Sequence, residues 1–203
     1  FVKYTSIGLL SSVIFFGFST PILAQNNTSK TIDNHSTIFV GAENTANYLS
    51  KLKGKKVGLI SNQTGIATIN GTTMHTVDLL LKNKINVVKL YSPEHGFRGD
   101  ADAGAKVKSG VDAKTNLPII SLYGDNKKPK ANQIADVDVL VFDMQDVGAR
   151  FYTYISTLHY VLEAAAENGK KVIVLDRPNP NGHYVDGPVM KNEYKSFVGM
   201  HNV

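Results

Sequence analysis

The 203-residue sequence contains no cysteine and no tryptophan. Without cysteine there are no disulfides, no thiolate metal sites, no cysteine nucleophile and no acylated cysteine to anchor a lipoprotein. An excess of one charge is missing too. The 22 Lys and Arg against 17 Asp and Glu leave +5 with no basic stripe, which argues against a nucleic-acid partner. No apolar run reaches the roughly 20 residues of a membrane-spanning helix. P-loop, HExxH and EF-hand patterns are absent, no GxGxxG follows the first predicted strand, and no GxSxG elbow occurs. These gaps weigh against a metal centre, a dinucleotide cofactor and a serine esterase, so neither metal nor cofactor is expected.

What remains is globular in composition, 42% hydrophobic and 19% charged, enough to build a core. Lys3 precedes a nearly pure apolar run, Ile7 to Phe18. Ser19, Thr20 and Pro21 break it, and Ile22-Leu23-Ala24 leads to Gln25. That layout predicts a signal peptide over 1–24, cleaved after Ala24, with an uncleaved anchor as the alternative. Either way the rest is expected to be exported, periplasmic or secreted; after cleavage no stable membrane anchor remains. Residues 25–37 are polar and aperiodic and read as a leader. A start at Phe1 and the lack of a terminal element at Val203 read as the boundaries of a piece of a longer protein.

From Ile38 to Val203 helical and strand patterns alternate. Helices are predicted over 44–53, 76–83 and 154–168, the last with Ile155, Leu158, Val161, Leu162 and Ala165 on its apolar face. Strands are predicted over 57–60, 87–91, 118–122, 137–142 and 172–175, the third at a sheet edge because of Pro118. Short unbroken apolar strands between helices indicate a doubly wound, mostly parallel, Rossmann-like α/β domain. Ligands of such sheets gather beyond the C-terminal strand ends.

Every predicted strand ends in a polar cluster. Ser61, Asn62 and Thr64 follow the first; Glu94, His95 and Arg98 the second; Tyr123 the third. Asp143, Gln145, Asp146, Arg150 and Tyr152 follow the fourth, and Asp176, Arg177 and Asn179 the fifth. Carboxylates and amides bind hydroxyls, arginine forks bind acidic substituents and aromatic rings stack on sugars, so the mixture suits a hydroxyl-rich ligand. Structural readings stand beside this: a hydrogen-bonded cap at 61–65, a turn cap at Asp143, ion pairs Asp146–Arg150 and Asp176–Arg177, and a rigid turn at Asn179. His35, His75 and His159 read as incidental, and His183 lies in a Gly-rich turn.

VGLISNQTG (57–65), SPEHGFRGDADAG (92–104), SLYG (121–124), VFDMQDVGARFYTYIST (141–157), LDRPNPNG (175–182) and SFVGM (196–200) occur in this order. Together they closely resemble the NamZ-type exo-β-N-acetylmuramidases, glycoside hydrolases of peptidoglycan turnover. The resemblance covers about 40 to 203. It implies a Rossmann-like N-terminal domain, a smaller C-terminal domain absent from this chain, and a cleft between them. It also implies release of N-acetylmuramic acid from the non-reducing end of peptidoglycan fragments such as muropeptides or disaccharides, without metal or nucleotide. Glu94 matches the expected catalytic acid; Asn62, His95, Asp143, Gln145, Asp146, Arg150 and Tyr152 match its shell. The family continues past SFVG, so this piece alone is expected to lack part of its site.

Glycoside cleavage needs a proton donor and stabilisation of an oxocarbenium-like transition state. Glu94, flanked by Tyr91 and Phe97, is the expected donor, with His95 orienting it or relaying a proton. Asp143 or Asp146 is the expected base or charge stabiliser. Arg150 or Arg177 is expected to bind the lactyl carboxylate that marks muramic acid. The alternatives are an exported muropeptide-binding protein without turnover, and a hydrolase of another N-acetylated or acidic sugar.

Overall fold

The computed structural model describes residues 38–99 and 109–201; the predicted signal segment and leader lie outside them. The strands are β1 (Val57–Ser61), β2 (Ile66–Ile69), β3 (Thr72–His75), β4 (Val87–Ser92), β5 (Gly110–Val111), β6 (Pro118–Ser121), β7 (Val139–Asp143) and β8 (Lys171–Val174). The helices are α1 (Thr45–Leu52), α2 (Thr76–Lys82), α3 (Ala131–Ile134) and α4 (Tyr154–Glu167). Six strands form one sheet in the order β5-β6-β4-β1-β7-β8, with β2 and β3 as a separate hairpin. All its neighbours pair in parallel except β5 with β6. Among the parallel strands the order runs third, second, first, fourth, fifth. It reverses between β1 and β7, where a doubly wound sheet opens its ligand crevice.

Strand residues alternate between two cores. Val57 and Leu59 of β1, with Val139 and Val141 of β7, meet Tyr48 and Leu52 of α1 and Val77 and Leu80 of α2. Ile60, Tyr91, Leu140 and Phe142 point the other way, onto Ile134 of α3 and Val161, Ala164 and Ala165 of α4. The central strands are therefore apolar at successive positions because both faces are covered. Gly58 is required by this packing: a Cβ there would lie 2.8 Å from the Tyr91 ring.

The structure departs from the sequence pattern in three places. β6 lies one position in from the edge, because the short β5 pairs outside it. The hairpin turns on Asn70 and Gly71, both at positive φ (49° and 75°), the conformation that an Asn-Gly loop favours. On α4 the buried stripe runs through Tyr154, Thr157, Val161, Ala164 and Ala165, while Ile155 and Leu162 face outward.

Candidate active site

The strand tips divide into two layers. The lower is a buried polar floor at the β1/β7 crevice. Ser61 donates to the Asp143 carbonyl at 2.7 Å. The Asn62 side-chain oxygen accepts from the Thr64 amide at 2.9 Å and the Thr64 hydroxyl at 2.5 Å. Thr64 Oγ1 in turn accepts from the Gln145 amide at 3.0 Å. The Asp143 carboxylate is fully buried. Arg177 donates to both its oxygens, at 2.6 and 3.1 Å, and Thr76 also donates to it.

This geometry corrects two expectations. Asp143 as a base on water has its oxygens occupied by Arg177 and Thr76, away from any opening. Arg177 as a carboxylate fork is engaged by Asp143 rather than by a ligand or by Asp176, and its Nη2 also donates to the Ile66 carbonyl at 2.7 Å. The pair is a structural clamp that ties β7, the β8 loop, the hairpin and the start of α2.

His75, which reads as incidental in the sequence, belongs to the same floor. Its Nδ1 accepts from the Val77 amide at 3.2 Å, capping α2. Its Nε2 lies 2.8 Å from the Asn62 carbonyl, so the neutral ring with the proton on Nε2 satisfies both contacts. The ring packs on Phe97, with centroids 4.9 Å apart. Burial pushes its pKa below the usual histidine value. The signal available was His-Thr ahead of an apolar helical run, an N-cap pattern.

The upper layer is open. A cavity of about 490 Å³ is lined by Gln63, Thr64, Glu94, His95, Gln145, Val147, Phe151, Tyr152, Thr153 and Tyr154. It gathers Glu94 and His95 from the β4 loop with Gln145 and Tyr152 from the β7 loop. Tyr123, from the β6 loop, donates to Glu94 Oε1 at 3.1 Å. That carboxylate holds the Tyr123 phenol above its ordinary value. His95 sits at φ 73° and Gly96 at 82°, a left-handed pair that only a minority of non-glycine residues adopt, histidine among the more tolerant. Tyr154 was not anticipated in the site. It is buried at the cavity wall with its ring edge-on to Tyr152 at 5.9 Å, and burial raises its pKa.

The remaining expectations separate. Tyr91 turns to the opposite face of the sheet, its hydroxyl donating to the Gln133 carbonyl at 2.7 Å, so it does not flank Glu94. Arg98 lies outside the cavity in a bidentate pair with Asp112, at 2.7 and 2.8 Å, which pulls the Asp112 carboxyl down to about 2. Asp146 accepts from the Gly148 amide at 2.8 Å rather than pairing with Arg150. Asp146 and Asp176 line a smaller side cavity with Ile155 and Val174. Arg150 Nη2 donates to the Pro188 carbonyl at 2.5 Å. Asn179 lies against Gly148 and accepts from the Asn181 amide at 2.9 Å. Among the described residues, no three His, Asp or Glu side chains gather where they could hold a metal ion.

A family model described as exo-beta-N-acetylmuramidase NamZ, N-terminal, matches residues 57–203. The chain belongs to the NamZ family. A relative from Bacillus subtilis (strain 168), the peptidoglycan beta-N-acetylmuramidase NamZ, is 42% identical over 205 residues, covering all of this chain and 49% of that protein. The chain therefore spans about half the length of this curated relative. Two solved DUF1343 family proteins from Bacteroides fragilis NCTC 9343 share the fold, with TM-scores of 0.71 and 0.68 at 45% and 44% identity. Each match covers 81% of this chain, and 41% and 42% of the two solved chains. The NamZ match begins on the first residue of β1 and contains every residue that lines the Glu94 cavity.

Proposed function

We propose that the protein is an exported exo-β-N-acetylmuramidase, releasing N-acetylmuramic acid from the non-reducing end of peptidoglycan fragments, with Glu94 as the proton donor. The observation that carries this reading is the position of Glu94. It stands on the wall of an open, aromatic-sided cavity at the sheet's ligand edge, held by the Tyr123 hydroxyl. Membership of the NamZ family supports the substrate class.

In the proposed reaction Glu94 protonates the glycosidic oxygen as the C–O bond breaks, and water completes the hydrolysis at the sugar's anomeric carbon. His95, next to the acid, orients it or relays a proton. The aromatic wall of Tyr152 and Tyr154 supports the face of the sugar. Asp146, next to Gln145 on the β7 loop, is the carboxylate proposed to stabilise developing positive charge, because Asp143 is engaged in the floor. Export is supported by the signal-like pattern of 1–24, and N-terminal sequencing of the secreted protein should begin at Gln25.

The decisive assay presents the full-length protein with a chromogenic β-N-acetylmuramide and the matching glucosaminide, alongside Glu94→Gln. Release from the muramide alone is expected, with kcat falling roughly 10²–10⁴-fold in the variant, the usual worth of a general acid. No release from the muramide by the wild type would refute the activity. Full activity in Glu94→Gln would refute only the role of that residue, and binding without turnover would identify a muropeptide-binding protein.

A further inference from the structure

A second cavity, also of about 490 Å³, adjoins the first, and Phe151 lines both. Its size falls within the roughly 300–1,000 Å³ of small-ligand sites. Its walls come from the β7 and β8 loops, and those loops are cross-tied. Gln145 Nε2 donates to the Pro178 carbonyl at 2.9 Å, and Asn181 Nδ2 to the Val147 carbonyl at 2.7 Å. Gly148, at φ 67°, packs so tightly on Asn179 that a Cβ would lie 2.3 Å from its side-chain nitrogen. The cavity is therefore a built feature rather than a gap between loose loops.

Its chemistry is that of a neutral sugar site. Phe151 and Tyr184 present rings to it that are 69% and 54% exposed, leaving aromatic surface open to a ligand. Arg150 and Asp186 both line it, so its charges offset each other. Asn179 and Asn181 brace the wall itself, Asn179 Oδ1 accepting from the Asn181 amide and Asn181 Nδ2 donating to the Val147 carbonyl. Phe151 belongs as well to a run of rings. It lies 5.8 Å from Tyr152, which in turn lies 5.9 Å from Tyr154 in the wall of the first cavity.

We propose that this second cavity is the subsite for the leaving-group sugar, a neutral N-acetylated pyranose, stacked on Phe151 and Tyr184. The assignment rests on the glycosidase reading above. It places the muramyl residue in the Glu94 cavity and the scissile bond at the Phe151 partition. Carbohydrate rings stack on aromatic faces through their C–H surfaces, and Phe151 and Tyr184 supply such faces here.

The test compares two substrates of the full-length protein: the disaccharide of N-acetylmuramic acid linked to N-acetylglucosamine, and methyl β-N-acetylmuramide, which has no second sugar. Phe151→Ala and Tyr184→Ala should each lower kcat/KM on the disaccharide by about tenfold, the worth of one well-placed ring. On the methyl glycoside Tyr184→Ala should change it by less than about twofold, as exposed substitutions do, whereas Phe151→Ala, which also alters the Glu94 cavity, should lose on both substrates. For Tyr184→Ala, equal losses on both substrates, or no loss on either, would overturn the subsite. A loss seen only when the substrate carries a peptide stem would overturn it in favour of peptide recognition. Saturation-transfer NMR with free N-acetylglucosamine reads the subsite without turnover. Contact with the wild type, lost in Tyr184→Ala, supports a sugar site in this cavity even if no hydrolysis is found. Absence of contact with the wild type overturns it.

Discussion

The floor and the rim of the site use the same residue types to opposite ends. Asp143 and Arg177 lie beneath the crevice with carboxylate and guanidinium mutually satisfied and their side chains 0% and 5% exposed. Glu94 and His95, carried by the β4 loop, stand a layer higher on the wall of an open cavity. Both sets follow a strand end, where a parallel sheet delivers polar residues. What separates them is whether the neighbouring loop covers them. The β8 loop folds Arg177 over Asp143, whereas Glu94 lines the open cavity with the Tyr123 hydroxyl donating to its Oε1. A polar residue at a strand tip is thus a candidate ligand group only where it reaches the wall of an open cavity.

The largest expected effect tests that division directly. Asp143→Asn leaves the Arg177 charge buried without its counter-ion, and breaking a buried pair costs about 3–5 kcal/mol. Urea unfolding should show a loss of that size. Glu94→Gln, on a cavity wall, should stay within about 0.5 kcal/mol of the wild type while losing turnover. An Asp143→Asn protein of normal stability but without activity would move Asp143 from floor to rim and break the comparison.

A smaller effect is expected where the two loops meet. Gly148→Ala places a Cβ against Asn179 in a backbone conformation with φ 67°. The left-handed geometry alone costs an L-residue about 1–2 kcal/mol. The tie between the β7 and β8 loops should loosen, so a thermal melt falls modestly while limited proteolysis within 178–187 accelerates. Unchanged proteolysis would show that Asn181 and Gln145 hold the loops without Gly148.

Much of this was legible from residues alone. The doubly wound order follows from apolar strands alternating with helices, and Glu94, His95, Gln145 and Tyr152 do converge at one strand edge. Layering was not legible. A sequence shows that Asp143 and Arg177 follow different strands, but not that the intervening 33 residues fold back to bring Nε within 2.6 Å of Oδ1. Arg98 was drawn away by Asp112, a partner on a distant loop that periodicity cannot reveal. Tyr154 was read as the first residue of a helix, which it is, but a helix start that faces a crevice also forms its wall. The buried stripe of α4 was misplaced because Ile155 and Leu162 are hydrophobic enough to suggest a core, yet Thr157 and Ala164 occupy it.

His75 gives the smallest effect and the finest test of the floor. Its neutral ring bridges α2 and Asn62 only while Nδ1 remains an acceptor for the Val77 amide. Protonation would set an N–H against that N–H and place a charge among buried atoms. Burial is the leading reason that its folded-state pKa lies below the unfolded value of about 6.5. The sign follows from linkage: the unfolded chain binds the proton more readily, so His75's contribution is complete above the unfolded pKa. It is lost as pH falls below that value towards the folded one. The size should be about 1 kcal/mol, the worth of a helix N-cap. Urea unfolding at pH 7.5 and at pH 5 should therefore show a larger acid loss in the wild type than in His75→Asn, whose side chain can cap α2 without titrating. Parallel losses in the two proteins would remove His75 from the pH response and leave it a cap alone.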